Sequence, residues 1–268
     1  MNNDIYIPKD IAVRNVIHSI WQINYRTTFG NEYIIPKGVV EIIFNFSEGS
    51  AIDVNLSGKT SILPHCFING FNRSPIELKL PRQQFFFGVL FQPSAIKKIL
   101  RTPAREFSDI TVDLTLIDPT FKILWHELAE QNDFSSRVTT FLGWLKKNLV
   151  VSHPRDQLLN NFLYAIDQHE ISVKELASNM CYSPRQLSRK ILESSGMNTE
   201  EMLLYKKYLQ SVHLMHHSGQ SLTAIAHQCG FTDQSHFIKT FKSFTNITPG
   251  EYKRNKSFVK GHLYRNVR

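Results

Sequence analysis

SVKELASNMCY (residues 172–182) and SLTAIAHQCGF (residues 221–231) are two copies of one pattern. Offset by 49 positions, Val173 answers Leu222, Leu176 answers Ile225, Ala177 answers Ala226 and Met180 answers Cys229. Apolar residues at i, i+3, i+4 and i+7 give a helix one buried stripe. The small residue in the middle of each stripe, Ala177 or Ala226, lets a second helix cross closely after a tight turn. Both copies supply that second helix. Beyond the turn Ser183, Leu187 and Ile191 answer Asp233, Phe237 and Phe241, the offset growing to 50 because Thr232 is an extra residue. Ser183 and Asp233 are suited to accept a backbone N–H at the N-cap, and Pro184 suits the first helical position, where no N–H is needed. Two helix-turn-helix units are expected, over about residues 172–198 and 221–248.

With Leu187 and Ile191 turned inward, the first unit leaves Arg185, Gln186, Ser188, Arg189 and Lys190 outside. With Phe237, Phe241 and Phe244 inward, the second leaves Gln234, Ser235, His236, Lys239 and Lys242 outside. Neither set contains an acid. Arg, Gln and Ser near a helix N-terminus are side chains that bond base edges in a major groove, and the N-terminal amides suit phosphate. One helix pair with a basic face is usually only a solvated surface. Two such faces, joined by a helix of about 20 residues over 199–218, could enter successive major grooves roughly 34 Å apart. In that connector Met202, Tyr205, Leu209, Val212 and His213 form the expected core stripe. Charge agrees with the pattern: the formal net charge is +8, of which +2 lies in residues 1–151 and +6 beyond them. Clustered cations release counterions from a phosphate backbone, so a polyanionic partner is implied for the C-terminal half.

The stretch IAHQCGFTDQSHFIKTFKSFTNITPGEYKR (residues 225–254) carries an alanine, a Gly-Phe turn, Ser-x-Phe and Phe-Lys steps, and a closing Thr-Pro-x-x-Tyr. In these features it closely resembles the signature of the AraC/XylS transcription regulators. The resemblance extends over about residues 157–256, including a leading helix at 158–169. It departs from the family at Asn246, where glycine is usual, and at Lys253, where arginine is usual. The resemblance implies a DNA-binding domain whose two units read adjacent major-groove segments of double-stranded DNA. Carried over position by position, base-reading sites fall on Arg185, Ser188 and Arg189 in the first unit and on Gln234, Ser235 and Lys239 in the second. Thr232, His236, Lys242 and Arg254 become phosphate neighbours. Arg185 and Arg189 are the strongest readers, because a guanidinium can take guanine O6 and N7 together. The serines read little, so the second unit leans towards phosphate contact. An activator of this type would also touch RNA polymerase; operator placement, not these residues, decides activation or repression.

The N-terminal half follows a different period. Residues 39–46 (VVEIIFNF), 62–68 interrupted by Pro64, 76–80 (IELKL) and 85–91 (FFFGVLF) are rich in β-branched and aromatic residues. SEGS, NLSGKTS, NGFNRSP and PRQQ separate them, so an antiparallel sandwich or small barrel is expected. After Pro93 the spacing turns helical: Ile96, Ile99 and Leu100, then Phe121, Leu124, Trp125 and Leu128, then Phe141, Leu142, Leu145 and Leu149. Trp125, Trp144 and Leu145 could fill the core or serve a homodimer face. VSHPRD (residues 151–156) is the best linker. The expected class is α+β in two domains, a β-rich effector-binding or dimerisation domain at 1–153 and an all-helical one at 154–268. VVEIIFNFSEG and FFFGVLFQPSAIKKILRTPAREFSDITVDL resemble the N-terminal domain of a subset of AraC-like regulators, a cupin-like barrel followed by helices. That resemblance implies a small-molecule effector, dimerisation, or both. Inward positions of 39–46 and 62–68 would line an effector pocket, with Glu41, His65 and Asn69 as its polar groups; no effector-binding residue is assigned.

Composition narrows the rest. A chain of 268 residues with 42% hydrophobic and 20% charged residues can bury a core, which excludes wholesale disorder. Cys66, Cys181 and Cys229 form no CxxC pair, and His18, His65 and His126 do not cluster, so neither a metal nor a cofactor is expected. MNNDIYIPKD lacks a signal-peptide pattern, and residues 85–91 are too few to span a bilayer, so a cytoplasmic protein without membrane contact is expected. Two alternatives stand beside the regulator: an alkyl-transfer repair enzyme fused to this domain, which would need reactive zinc-bound cysteines, and a small-molecule binding module with a basic partner surface.

Overall fold

In the computed structural model, residues 3–26, 30–47, 51–148, 153–165 and 172–265 are described. Leu149, linker residues 151 and 152, and residues 166–169 of the expected leading helix lie outside them. The chain order is β1 (Asn3–Tyr6), α1 (Ile11–Arg14), β2 (Ile17–Arg26), β3 (Asn31–Ile34), β4 (Val40–Asn45), β5 (Asp53–Leu56), β6 (Lys59–Ile62), β7 (Cys66–Asn69), β8 (Ile76–Lys79) and β9 (Gln83–Phe91). Then come α2 (Pro93–Leu100), β10 (Thr111–Asp113), α3 (Thr120–Ala129), α4 (Phe134–Lys147) and α5 (Pro154–Tyr164). The helical half holds α6 (Val173–Asn179), α7 (Pro184–Ser195), α8 (Thr199–His217), α9 (Leu222–Gln228), α10 (Gln234–Thr245) and α11 (Pro249–Asn255), and β11 (His262–Arg265) closes the chain.

Two antiparallel sheets face each other. One has the order β1-β2-β9-β4-β7-β10, the other β11-β3-β8-β5-β6. Every residue of β4 is buried, because helices cover the face that the second sheet does not. Ile43, Phe67 and Phe86 point between the sheets, whereas Phe44, Phe87 and Phe91 meet Phe141 of α4. A strand covered on both sides reads as an unbroken apolar run, which is how 39–46 and 85–91 read. The interruption at Pro64 is a change of sheet: β6 and β7 belong to different sheets. Trp125 donates Nε1–H to the Asn45 carbonyl at 3.0 Å, Trp144 packs on Phe121 and Phe141, and Leu145 is fully buried. All three serve the chain's own core.

The expectation that everything beyond residue 154 is helical needs one correction. β11 pairs with β3, Leu263 opposite Tyr33 and Tyr264 opposite Glu32, and Ile35 N–H donates to the Gly261 carbonyl at 2.9 Å. β3 would otherwise be an edge with unpaired backbone groups, and the tail supplies the missing partner.

The halves share one hydrophobic core. Tyr205 of α8 donates to the Asn72 carbonyl at 2.8 Å and accepts from Gly38 N–H at 3.1 Å; Tyr208 donates to the Pro36 carbonyl at 2.9 Å. Tyr33 reaches the other way, to the Thr245 carbonyl at 2.6 Å. Gly38 has φ 69°, and a Cβ there would overlap the Leu209 side chain, so only glycine fits this approach. Of the expected connector stripe, Met202, Tyr205 and Val212 are buried while Leu209 and His213 are half-buried. Lys206, Tyr208, Ser211 and Met215 are buried as well, because α8 also packs against the N-terminal half. Lys206 caps the end of α5 by donating to the Phe162 and Ala165 carbonyls at 2.5 Å, and burial pulls its pKa down to about 8.

Candidate nucleic-acid interface and effector cavity

Each second helix of the two units is fixed by a polar cap outside and an apolar stripe inside. At α7, Ser183 Oγ accepts from Gln186 N–H at 3.3 Å and Gln186 Oε1 accepts from Ser183 N–H at 2.9 Å, with Pro184 at the first helical position. At α10, Asp233 Oδ1 accepts from His236 N–H at 2.8 Å. Leu187, Ile191, Phe237 and Phe241 are all fully buried, in the core that also holds Ala177 and Ala226. Chain reversal after α7 uses Gly196 at φ 74°, and after α10 Asn246 at φ 56°, the left-handed conformation that asparagine tolerates best among residues with a side chain.

Burying those stripes puts the predicted readers outside. Arg185, Arg189, Gln234, Ser235 and Lys239 are exposed, as are Thr232, Lys242 and Arg254. Ser188 is half-buried, and so is His236, whose ring stands edge-on to Phe231 at 5.5 Å. Gln234 Oε1 lies 3.4 Å from Thr223 Oγ1, a contact that orients it from the first helix of its own unit. Glu193 is the nearest acid on α7, and it faces Lys97 of α2 at 3.6 Å and Lys190 at 3.8 Å. The outward faces of both helices thus carry the predicted polar readers, with exposed Leu192 on α7 and Ile238 on α10 among them.

Between the two sheets lies a cavity of about 350 Å³. Trp21, Ile43, Phe67 and Phe86 line it from one sheet, and Val54 and Ile76 from the other. Glu41 and Asn69 reach it, as their strands suggested. His65 does not: it sits in a bend before β7, where alternation has not begun, and its ring packs tilted against Trp125 at 5.2 Å. Glu41 is buried, accepting from Lys37 Nζ at 2.8 Å and Trp21 Nε1 at 3.3 Å. Sequence reasoning missed Gln84, which shares the inward face of β9 with Phe86, and five tail residues: Phe258, Val259, Lys260, His262 and Tyr264. Alternation along 83–91 could have found Gln84; no local signal could have found the tail.

A family model for a helix-turn-helix domain matches residues 176–255, and one for a domain of unknown function (DUF6597) matches residues 6–113. The HTH-type transcriptional activator RhaS of Enterobacter sp. (strain 638) is 28% identical over 138 residues, 48% of this chain and 50% of that protein. RhaS of Escherichia coli O1:K1 / APEC is 30% identical over 112 residues, 42% of this chain and 40% of the relative. Over its helix-turn-helix part the chain is thus similar to transcription regulators of the AraC/XylS type. It spans at most half the length of these curated relatives. ToxT from Vibrio cholerae O395, bound to (E)-4-(8-methylnaphthalen-1-yl)but-3-enoic acid, covers 88% of this chain and 98% of its own with a TM-score of 0.50 at 16% identity, a likeness of fold alone.

In this chain the buried thiols are poor nucleophiles. Burial raises the Cys66 thiol and pushes Cys229 up to about 12, the reverse of the depressed pKa a reactive thiolate needs. Among the described residues no group of three His, Cys, Asp or Glu side chains is placed to hold a metal, and no helix is long and apolar enough to cross a membrane.

Proposed function

We propose that the chain is a sequence-specific regulator of transcription that reads two successive major-groove segments under the control of a small effector held in the N-terminal half. One observation carries this reading: two capped helices, each the second of a helix-turn-helix pair, turn Arg185, Arg189, Gln234, Ser235 and Lys239 to solvent. Arg185, Ser188, Arg189, Gln234, Ser235 and Lys239 read bases; Thr232, His236, Lys242 and Arg254 hold phosphates. The division at 153/154 separates effector binding and homodimerisation from DNA recognition, with β11 returning to the first part. RNA polymerase is the further partner if the operator makes it an activator. The chain works in the cytoplasm and catalyses no reaction; the raised pKa values of the buried Cys66 and Cys229 thiols count against those two as alkyl acceptors.

Titration of the full-length protein against its own promoter fragment and a scrambled duplex, at several salt concentrations, tests this. The promoter should bind at least about a hundredfold tighter, with affinity falling steeply as salt rises. Equal affinity for both duplexes would leave a basic partner-binding surface and remove the sequence-reading role.

A further inference from the structure

The cavity between the sheets has two paired carboxylates and one unpaired amide. Glu41 is held by Lys37 and Trp21, and Glu32 lies 2.7 Å from His262 Nδ1. Gln22 accepts from Arg137 at 3.1 Å. Gln84 is different. It is 1% exposed, it lines the cavity beside Phe86, and its Nε2 has no hydrogen-bond partner. A buried donor without an acceptor is costly, and the walls around this one are mostly apolar. A void of about 350 Å³ is roughly twice the size of an engineered apolar cavity that takes up benzene.

Part of the cavity wall comes from the other end of the chain. Phe258, Val259, Lys260, His262 and Tyr264 line the cavity, and β11 completes the second sheet. The same segment is tied to the DNA-binding half: Gly261 N–H donates to the Tyr252 hydroxyl of α11 at 3.0 Å, that hydroxyl lies 2.7 Å from His216 Nε2 of α8, and Lys256 Nζ donates to the Met215 carbonyl. Whatever fills the cavity therefore touches a strap continuous with the second helix-turn-helix unit.

We propose that the cavity is a site for a mainly apolar molecule bearing one hydrogen-bond acceptor, a ketone or ester carbonyl, that the acceptor takes the free Gln84 N–H, and that the C-terminal strap closes over the bound molecule. This rests on reading the cavity as the effector site. The strap makes occupancy legible to the DNA-binding half: a ligand that seats Phe258 and Tyr264 also holds α11 against α8.

Calorimetric titration of the full-length protein with acetophenone and with ethylbenzene, which has nearly the same shape but no acceptor, tests the chemistry. Hydrogen exchange over residues 258–264, with and without acetophenone, tests the closure. Acetophenone should bind about tenfold tighter than ethylbenzene. In Gln84→Met the ratio should fall to within about twofold, with an unchanged thermal midpoint since no bond is lost. Exchange in the strap should slow severalfold with the ketone bound. Equal binding of the two probes to the wild-type chain, a comparison that needs no variant, overturns the role of Gln84. Ketone binding with unchanged strap exchange overturns the closure. Failure of both probes to bind a protein that still binds its promoter overturns the effector reading beneath the proposal.

Discussion

The two helix-turn-helix units share one architecture built from different residues. The first has an aliphatic stripe, Leu187 and Ile191, and its outward face carries two arginines. The second has an aromatic one: Phe241 lies 6.0 Å from Phe237, 5.5 Å from Tyr208 and 5.7 Å from Tyr252. The first turns its chain through Cys181 at φ 53°, the second through Gly230 at φ 69°. They are also anchored differently. Ser108 Oγ donates to the Ser195 carbonyl and holds α7 to the loop after α2, while Tyr33 and the tail hold the second unit to the barrel. Aromatic packing is concentrated in the second unit, and the arginines proposed to read bases lie in the first.

The largest effect should come from the aromatic cluster. Phe241→Ala should cost about 3–5 kcal/mol, and Leu187→Ala, in the aliphatic stripe, about 2–3 kcal/mol. Denaturant unfolding of both variants measures the gap; equal losses would mean that the aromatic packing adds nothing. On DNA the order reverses. Arg189→Ala should lose about 1–3 kcal/mol on the promoter with little loss on random duplex, because a bidentate contact to guanine is what discriminates. Lys239→Ala should weaken both duplexes alike and reduce the salt slope by about 1. If Lys239→Ala proved the more discriminating loss, the division of labour between the units would be reversed.

How much of this was legible depended on how local each cause is. The caps at Ser183 and Asp233, the stripe of α10 and the doubly covered strands β4 and β9 are written in neighbouring residues, and periodicity finds them. The ten-residue β2 (IHSIWQINYR) escaped because His18, Ser19, Gln22 and Asn24 dilute its apolar alternation; Gln22 is inside only because Arg137, on α4, bonds it. The tail escaped for a stronger reason. His262 is a strand residue because Ile34 and Glu32, some 230 positions earlier, offer it a ladder and a carboxylate. For the same reason Glu41 and Asn69 could be placed in the cavity from strand parity, whereas His65, just outside its strand, could not.

The turns give a smaller and opposite pair of effects. Cys181 holds a left-handed backbone that costs a residue with a side chain roughly 1 kcal/mol or more, part of which glycine gives back through the freedom of the unfolded chain. Cys181→Gly should stabilise the protein by about 0.5 kcal/mol, and Gly230→Ala should destabilise it by about 1 kcal/mol. Thermal midpoints that move in the same direction for both variants would show that the two turns are not equivalent positions.

The least effect separates the first helices of the units. α6 begins with a reciprocal cap: Glu175 accepts from Ser172 N–H at 2.9 Å and from Ser172 Oγ at 2.6 Å, while Ser172 Oγ accepts from Glu175 N–H at 3.2 Å. α9 has Ser221 accepting from Ala224 N–H at 3.2 Å, but alanine cannot return the bond. Those bonds from Ser172, the hydroxyl's first and the backbone's second, hold the Glu175 carboxyl below its ordinary value of 4.5. A depressed carboxylate pKa adds stability above the unfolded value and loses it as pH falls through the folded one. Below pH 4.5, then, amide exchange at the start of α6 should quicken while the start of α9 holds, and Glu175→Gln, which keeps an acceptor but cannot titrate, should flatten the response. Two helix starts that loosen together on acidification would trace the loss to unfolding of the whole domain, since a cap of this kind acts only on its own first turn.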